Sequence, residues 1–392
     1  MKKVIYFTSA MMPEDFQEVV NNSLVTLNPS GQNFHYKLIN AFTKFSDVQV
    51  VCARPINHKT HYHTRFKTKD NGIFHYLGFK NTRLSRRRTL IKSAKKFLRP
   101  IIATTSDLVF VVDALSVLLS ELALSIGNKY GIPVYAILTD KPGNLSNVSN
   151  MYVKRVEQSF NKYSGFITLT EGLDEYANRS DKPSLILPGI VRAPLKKDKK
   201  AVKQYTPYFF FGGALYERYG VKNLIEAFKL LPTKHKLLIA GHGELTTYIK
   251  QEALLDERII YLGLISEDEY DVYVANAAGA INPRPLDKRI DLYSVPSKVL
   301  NYFNNATLVF SSDHPLLTRL FPSSYISLGV GSTIEIYDAL NAYLLSKDDY
   351  LYKRLKGQKD VQKLCQIDEV AAKLKLFFLN KPMNLEGETT IL

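Results

Sequence analysis

The feature that most constrains this chain is an alternation that runs through almost all of its 392 residues: apolar runs of strand length are separated by longer segments of helical period. In the first half the runs are KKVIYFTS, DVQVVCA, GIFHYLGF, DLVFVVDA, PVYAILTD, GFITLT and PSLILPG, with helical stretches between several of them, at 34–45, 115–130 and 151–163. The second half repeats the rhythm with YFFFGG, HKLLIAG, RIIYLG, GAIN, TLVFSS and YISLG. Strands apolar on both faces belong to parallel sheets covered by helices. Their regular alternation with helices implies doubly wound sheets. The chain is too long for one ordinary core, and VRAPLKKDKKAVKQYTP (191–207) is rich in lysine and proline and lacks an apolar face, as an exposed linker does. The expected organisation is α/β, with Rossmann-like domains at 1–190 and 208–347. The linker lies between them, and final helices and a polar tail occupy 348–392.

No run approaches the ~20 apolar residues of a membrane span. The opening MKKVIYFTSAMM has a basic pair followed by apolar residues, but Pro13, Glu14 and Asp15 follow at once, so it is read as a first strand rather than a leader. The two cysteines, Cys52 and Cys365, show no metal spacing, which fits a reduced, cytoplasmic setting.

The net charge of +15 is uneven. Residues 51–100 hold 14 Lys and Arg against one acid, Asp70, and such asymmetry concerns partners rather than fold. Within it, RLSRRRTLIKSAKKFLRP has eight cations, no acid, and a partial apolar stripe of Leu90, Ile91, Ala94, Phe97 and Leu98. The segment from Arg83 to Arg99 is either a basic amphipathic helix on an anionic membrane surface, at the inner face of the membrane, or a packed domain helix with a solvated basic face. No aromatic-interleaved groove or recognition motif accompanies the charge, so no nucleic-acid partner is expected. His58, His61 and His63 in HKTHYHTRFK are read as a polar loop, and no metal site is expected.

In open α/β sheets ligands collect at the carboxyl ends of strands, where helix N-termini aim N–H groups at anions. Three loops of the second half qualify. In FFFGGALYERYGVKNLIEAF a strand ends at Gly212 and Gly213, followed by Arg218 and Lys222; the glycines either bring backbone to a ligand or only turn the chain. In LLIAGHGELTTYI, Gly241, His242 and Gly243 end a strand and Glu244 opens a helix; Thr246 stands where a dinucleotide fingerprint wants its third glycine. In GAINPRPLDKRIDLYSVPSKVLNYF a core strand is followed by Arg284, Lys288 and Arg289, then by a helix with Ser297 and Lys298 in its first turn behind Pro296. Proline suits a helix start. A lysine there opposes the helix dipole unless an anion lies between them.

The ordered series GGALYERYGVKNLIEAF, LLIAGHGEL, DERIIYLGLISEDEY, INPRP and YSVPSK, covering about residues 208–313, resembles the donor-binding domain of the GT-B glycosyltransferases, specifically family 4, which contains many capsule and exopolysaccharide enzymes. In the first half NPSGQNFHYKLINAF, TLTEGLDEY and LILPGI match more thinly. The resemblance implies two Rossmann-like domains facing a cleft and transfer of a sugar from a nucleotide donor, such as a UDP- or GDP-sugar, to a saccharide or lipid-linked acceptor. It further implies retention of configuration and no metal ion or other cofactor. Basic groups and helix N-termini would stabilise the leaving diphosphate.

By the same resemblance Gly212, Gly213, Arg218, Arg284, Lys298 and the Ser297 backbone bind the diphosphate, and Lys222, His242, Gly243 and Glu244 line the donor. Gly31 and Gln32, with Asp113 and Asp140 at strand ends, belong to the acceptor side; Asp113, Arg218 and Lys298 are the catalytic candidates. The sequence also departs from the family pattern. The usual phosphate-binding arginine and lysine fall on Ala214 and Tyr219, the usual glycine on Ala306, and a usual histidine on Val112. The two glutamates of E-x7-E fall on Tyr293 and Asn301, which are expected to contact the donor's sugar or ribose. These departures keep two alternatives in view, a catalytically inactive GT-B subunit and a nucleotide-sugar epimerase.

Overall fold

A computed structural model describes residues 2–24, 29–57, 59–61, 63–145, 148–194 and 200–379. The chain divides into two compact units, one formed by residues up to Ile190 together with the segment from Ile367, the other by Val191–Gln366.

Among the described residues unit 1 is built on ten strands: β1 Lys3–Thr8, β2 Asp47–Cys52, β3 Arg65–Phe66, β4 Lys69–Asn71, β5 Phe74–Tyr76, β6 Phe79–Lys80, β7 Leu108–Asp113, β8 Val134–Leu138, β9 Gly165–Thr168 and β10 Ser184–Ile186. Eight form one sheet in the order β10-β9-β8-β7-β1-β2-β5-β4, parallel except where β4 pairs antiparallel with β5. The other two, β3 and β6, pair antiparallel as a small ribbon. The central strand β7, LVFVVD, is buried along its whole length, as a strand covered on both faces requires. The helix Ile367–Leu379 belongs to this unit: Phe378 packs on Phe42 of the helix Pro29–Thr43, with ring centroids 5.5 Å apart.

Among the described residues unit 2 carries six strands: β11 Tyr208–Gly212, β12 Lys236–Ala240, β13 Ile259–Gly263, β14 Gly279–Asn282, β15 Val309–Ser311 and β16 Ile326–Ser327, all parallel, in the order β13-β12-β11-β14-β15-β16. The aromatic run of β11 shows the two-residue period at work. Phe209 and Phe211 pack in one apolar layer with Val221, Leu224 and Phe228 of the helix Val221–Lys229. Tyr208 and Phe210 pack in the other with Val299, Tyr302 and Phe303 of the helix Ser297–Asn304.

Residues 195–199 of the expected linker lie outside those described, but its start is held in unit 2. Val191 N–H donates to Cys365 O at 2.8 Å, and Arg192 is ion-paired to Asp271 at 2.5 Å. Of the final helices, Leu351–Cys365 stays in unit 2. Among the described residues no helix is long and apolar enough to cross a membrane.

Candidate functional site

In unit 2 the strand order turns between β11 and β14, and open sheets gather ligands at such a point. Three strand tips meet there. Gly213, with φ +149°, bonds through its N–H to Ala240 O at 3.0 Å, and Leu215 N–H donates to His242 O at 3.1 Å, so the loops after β11 and β12 run on together beyond the sheet. A β-carbon on Gly241 would collide with Gly213 O, so only glycine admits this approach.

The helix Ser297–Asn304 is pinned to the tip of β11 by Tyr302, whose hydroxyl accepts from Gly212 N–H at 3.3 Å. Lys298 lies one turn earlier on the same helix face. Its Nζ stands 4.4 Å from the Phe211 ring centroid and 5.5 Å from that of Tyr219. Tyr219 gathers two further cations, with Arg218 Cζ 5.1 Å and Arg284 Cζ 5.9 Å from the same ring.

Among the described residues no carboxylate lies within ion-pair distance of Lys298 or Arg218, and burial, followed by the charge of Arg284, draws the Lys298 pKa down to about 7. Three cations converging on one half-buried ring, two of them without a counter-ion among the described residues, suit a multiply charged anion.

Arg284 is held from behind. Its Nη2 is 3.2 Å from Asp291 Oδ1, and its carbonyl accepts from Ser312 Oγ at 2.6 Å. Asp291, 2% exposed in its side chain, also faces His314 Nε2 at 3.7 Å. His314 Nδ1 accepts from Leu316 N–H at 3.2 Å, which leaves the ring proton on Nε2, toward the carboxylate. Burial, then Arg284, lowers the His314 pKa to about 4, so the ring is neutral near pH 7.

In unit 1 the sheet turns between β1 and β7, and Asp113 closes β7 at that point. Its carboxylate accepts from Leu115 N–H at 3.0 Å and Ser116 Oγ at 2.7 Å, and Oδ1 lies 3.7 Å from His35 Nε2. His35 Nδ1 is 2.7 Å from the Tyr6 hydroxyl. Burial lowers the His35 pKa, with Asp113 opposing, and burial raises that of Tyr6.

No protein-family model matches the chain, and no curated protein matches it in sequence. Solved structures do match in shape. Sucrose-phosphate synthase from Thermosynechococcus elongatus is similar over 96% of this chain and 98% of its own, at 12% identity and a TM-score of 0.69. HepE from Anabaena, solved with UDP, is similar over 97% of this chain and all of its own (100%), at 11% identity and a TM-score of 0.67. The lipopolysaccharide outer core galactosyltransferase WaaB is similar over 96% of this chain and 99% of its own, at 14% identity and a TM-score of 0.62. The chain has the GT-B fold.

Within this GT-B fold the residues singled out from sequence are distributed unevenly. Gly213, Arg218, Arg284 and Lys298 come together, with Gly212 tied beneath them to Tyr302. Lys222 is turned toward Tyr248, 5.9 Å from its ring, rather than toward Tyr219. His242 is exposed and takes part through its carbonyl, Gly243 packs on Leu215, and Glu244 accepts from Glu217 N–H at 2.9 Å. Tyr293 is half-buried, with its N–H on Ile290 O at 2.9 Å.

Two expected donor contacts have other partners. Ser297 N–H donates to Val295 O at 2.8 Å, so this backbone donor is already engaged. Asn301 Nδ2 donates to Asp271 Oδ1 at 3.0 Å, and its Oδ1 accepts from Asn305 at 2.6 Å, because Asp271 gathers Arg192, Asn301 and Asn305 around one buried carboxylate. In unit 1, both ends of the Gln32 amide bond the backbone of Met11, at 2.8 and 2.7 Å, while Gly31 is exposed and Asp140 accepts from Lys141 N–H.

Of the three histidines in HKTHYHTRFK, His58 lies outside the described residues. The ring centroids of His61 and His63 stand 5.0 Å apart, and among the described residues no three His, Cys, Asp or Glu side chains form a metal-ligand set.

Sequence reasoning passed over Tyr219 as the ring that collects the cations, Asp291 and His314 behind Arg284, and His35 beside Asp113. For His35 the signal was present, four residues after Gly31 in the quoted NPSGQNFHYKLINAF.

Proposed function

We propose that the chain is a glycosyltransferase of the family 4 type that binds a nucleotide sugar in unit 2 and passes the sugar to a saccharide or lipid-linked acceptor of surface-polysaccharide synthesis. The observation that carries this reading is the gathering of Arg218, Arg284 and Lys298 around Tyr219 at the turn of the sheet, with Lys298 lacking a counter-ion among the described residues. In the reaction the bond between the anomeric carbon and the β-phosphate oxygen breaks, and both electrons leave on the oxygen. The acceptor hydroxyl bonds the same carbon and gives up its proton. Retention follows if attack comes from the face the diphosphate leaves, with the departing oxygen taking that proton.

The three cations stabilise the growing negative charge, the role a metal ion takes in other transferases. Asp113, aligned with His35, is the acceptor-side candidate. That HepE has been solved with UDP and with UDP-glucose supports a UDP-sugar as the first donor to try.

The proposed location is the inner, anionic face of a membrane. The helix Arg86–Thr104 supports it: Leu90, Ala94 and Leu98 are buried, while Arg88, Lys92, Lys95, Lys96 and Arg99 are exposed, and Leu84 just ahead of the helix is 93% exposed.

The test is thermal stabilisation by UDP, GDP and their sugars, followed by donor turnover with wild type and Lys298→Ala. Ligand at ~100 times its dissociation constant raises stability by about 2.7 kcal/mol, and Lys298→Ala should abolish both shift and turnover. No shift with any nucleotide would sink the proposal.

A second reading is favoured by Asn301, whose amide is bound to Asp271: a GT-B subunit that binds nucleotide but transfers nothing. A nucleotide shift without turnover selects it. Isomerisation of free donor, followed by NMR, would instead indicate an epimerase.

A further inference from the structure

Arg54 stands two residues past the end of β2 and is only 9% exposed. Its Nη1 donates to Leu77 O at 3.2 Å. Its Cζ lies 5.0 Å from the Tyr76 ring and 5.7 Å from that of Phe66. Phe66 stacks on Phe79 at 4.9 Å, and Arg86 Cζ lies 5.4 Å from the Phe79 ring. The Arg86 Nε is buried without a hydrogen-bond partner.

Neither guanidinium has a carboxylate within ion-pair distance among the described residues, although Asp15 and Glu18 of the helix Pro13–Asn21 act on Arg54 from farther off and Asp70 lies on β4. Asp15 is bound to Lys69 at 2.5 Å and Asn71 at 2.9 Å, and Asp70 to His75 at 2.6 Å.

A charge taken out of water is costly unless it is paired and hydrogen-bonded. The aromatic faces return only about 0.5–2 kcal/mol, and among the described residues the Arg54 fork has no hydrogen bond besides that to Leu77 O. That fork matches phosphate oxygens two at a time. Arg54 and Leu77 lie just beyond the carboxyl ends of β2 and β5, parallel neighbours with Cys52 opposite Tyr76, on the side of the sheet from which open sheets take their ligands.

We propose that Arg54 and Arg86, each set against one ring of the Phe66–Phe79 stack, form a second anion site in unit 1 that recognises phosphate, and that its ligand is a phosphate-bearing acceptor. The acceptor role rests on the transferase reading; the phosphate site does not. The phosphate belongs either to a lipid carrier or to a phosphorylated saccharide.

The experiment uses the full chain and pyrophosphate as probe, measured calorimetrically. In a Lys298→Ala background pyrophosphate should still bind. Adding Arg54→Lys, which keeps the charge and removes the fork, should weaken it about tenfold or more, as loss of a charge-assisted pair implies. Arg86→Gln, at a more exposed position, should weaken it as well and serves if Arg54→Lys fails to fold.

UDP titrated into wild type and Arg54→Lys reads the donor pocket separately. Arg54-dependent pyrophosphate binding without any UDP binding keeps the phosphate site and removes the transferase reading. Intact UDP binding with pyrophosphate binding indifferent to Arg54 and Arg86 overturns the present proposal alone.

Neutral vesicles carrying a polyprenyl phosphate, against a soluble hexose phosphate, distinguish the sources. Arg54-dependent binding of the first assigns a lipid carrier, and of the second alone a saccharide. Arg54-dependent binding of neither overturns the acceptor role.

Discussion

A β-carbon added to Gly213 would stand 2.9 Å from Lys298 Nζ, so the strand tip and the lysine already fill one another's space. Gly213 also has φ +149°, a backbone region that L side chains rarely adopt. Gly213→Ala should therefore act twice. Backbone strain should lower stability by ~1–2 kcal/mol, and displacement of the ammonium should remove most of the stabilisation by UDP. Melting curves with and without UDP separate the two effects. Unchanged UDP stabilisation in Gly213→Ala would show that Lys298 does not face the ligand.

Lys298 should also make both stability and binding pH-dependent, in opposite senses. Burial, then Arg284, holds its pKa near 7 in the folded chain, below the ordinary lysine value. From about pH 7 upward the unfolded chain therefore keeps a proton that the folded chain has lost, and stability rises with pH until the ordinary lysine range is reached. Below pH 7 the folded state bears the full cost of the charge, on the order of 1–3 kcal/mol for a partly covered group. Lys298→Met should raise the melting temperature most near and below neutrality and little at high pH. Diphosphate binding needs the ammonium, so UDP affinity should fall above pH 7, by at most about tenfold per pH unit. A flat UDP affinity from pH 7 to about 9 would exclude Lys298 as its partner.

What could be read beforehand follows the range of each interaction. The strands were legible because their signal is local: the all-buried FFFG of β11 and LVFVVD of β7 are continuous apolar runs. Lys298 was legible because a cation in the first turn of a helix conflicts with the helix dipole, which is again local. The residues behind the site were not. Asp291 and His314 meet across two separate loops, and His35 meets Asp113 only once the helix Pro29–Thr43 packs beside β1 and β7. Arg192 looked like one more cation of a solvated linker, yet Asp271 holds it at 2.5 Å. Long-range polar pairs leave no period in a sequence.

Ala306 occupies the position where the family resemblance expects glycine, and the backbone there has the conformation glycine favours, with φ +51° just after the helix Ser297–Asn304. Its carbonyl accepts from Arg354 Nε at 3.0 Å, so the turn is tied down and cannot relax to relieve the side chain. An L residue in the left-handed region costs ~1–2 kcal/mol. Replacing it with glycine returns part of that through greater freedom of the unfolded chain. Ala306→Gly should leave a net gain of about 0.5–1 kcal/mol, seen as a rise of roughly 1–4 °C in melting temperature. A lower melting temperature would mean that the turn is not strained.

The loss of the second family glutamate at Asn301 has a physical counterpart in Asp271. That carboxylate is 5% exposed in its side chain, lies 2.5 Å from Arg192, and accepts from Asn301 Nδ2 at 3.0 Å and from Asn305 Nδ2 at 3.4 Å. Asn301→Glu would replace a donor with a second anion beside it, and like charges at a buried site repel strongly. The single substitution should destabilise the chain by about 2–4 kcal/mol and leave UDP binding no tighter. Asp271→Asn alone removes the charge that Arg192 compensates and should also destabilise. Combined, the two substitutions leave one carboxylate and one amide with their places exchanged, so the double variant should recover much of the loss, a coupling that a double-mutant cycle measures directly. If Asn301→Glu proves neutral by itself, the Asn301–Asp271 pair is not what excludes a glutamate here.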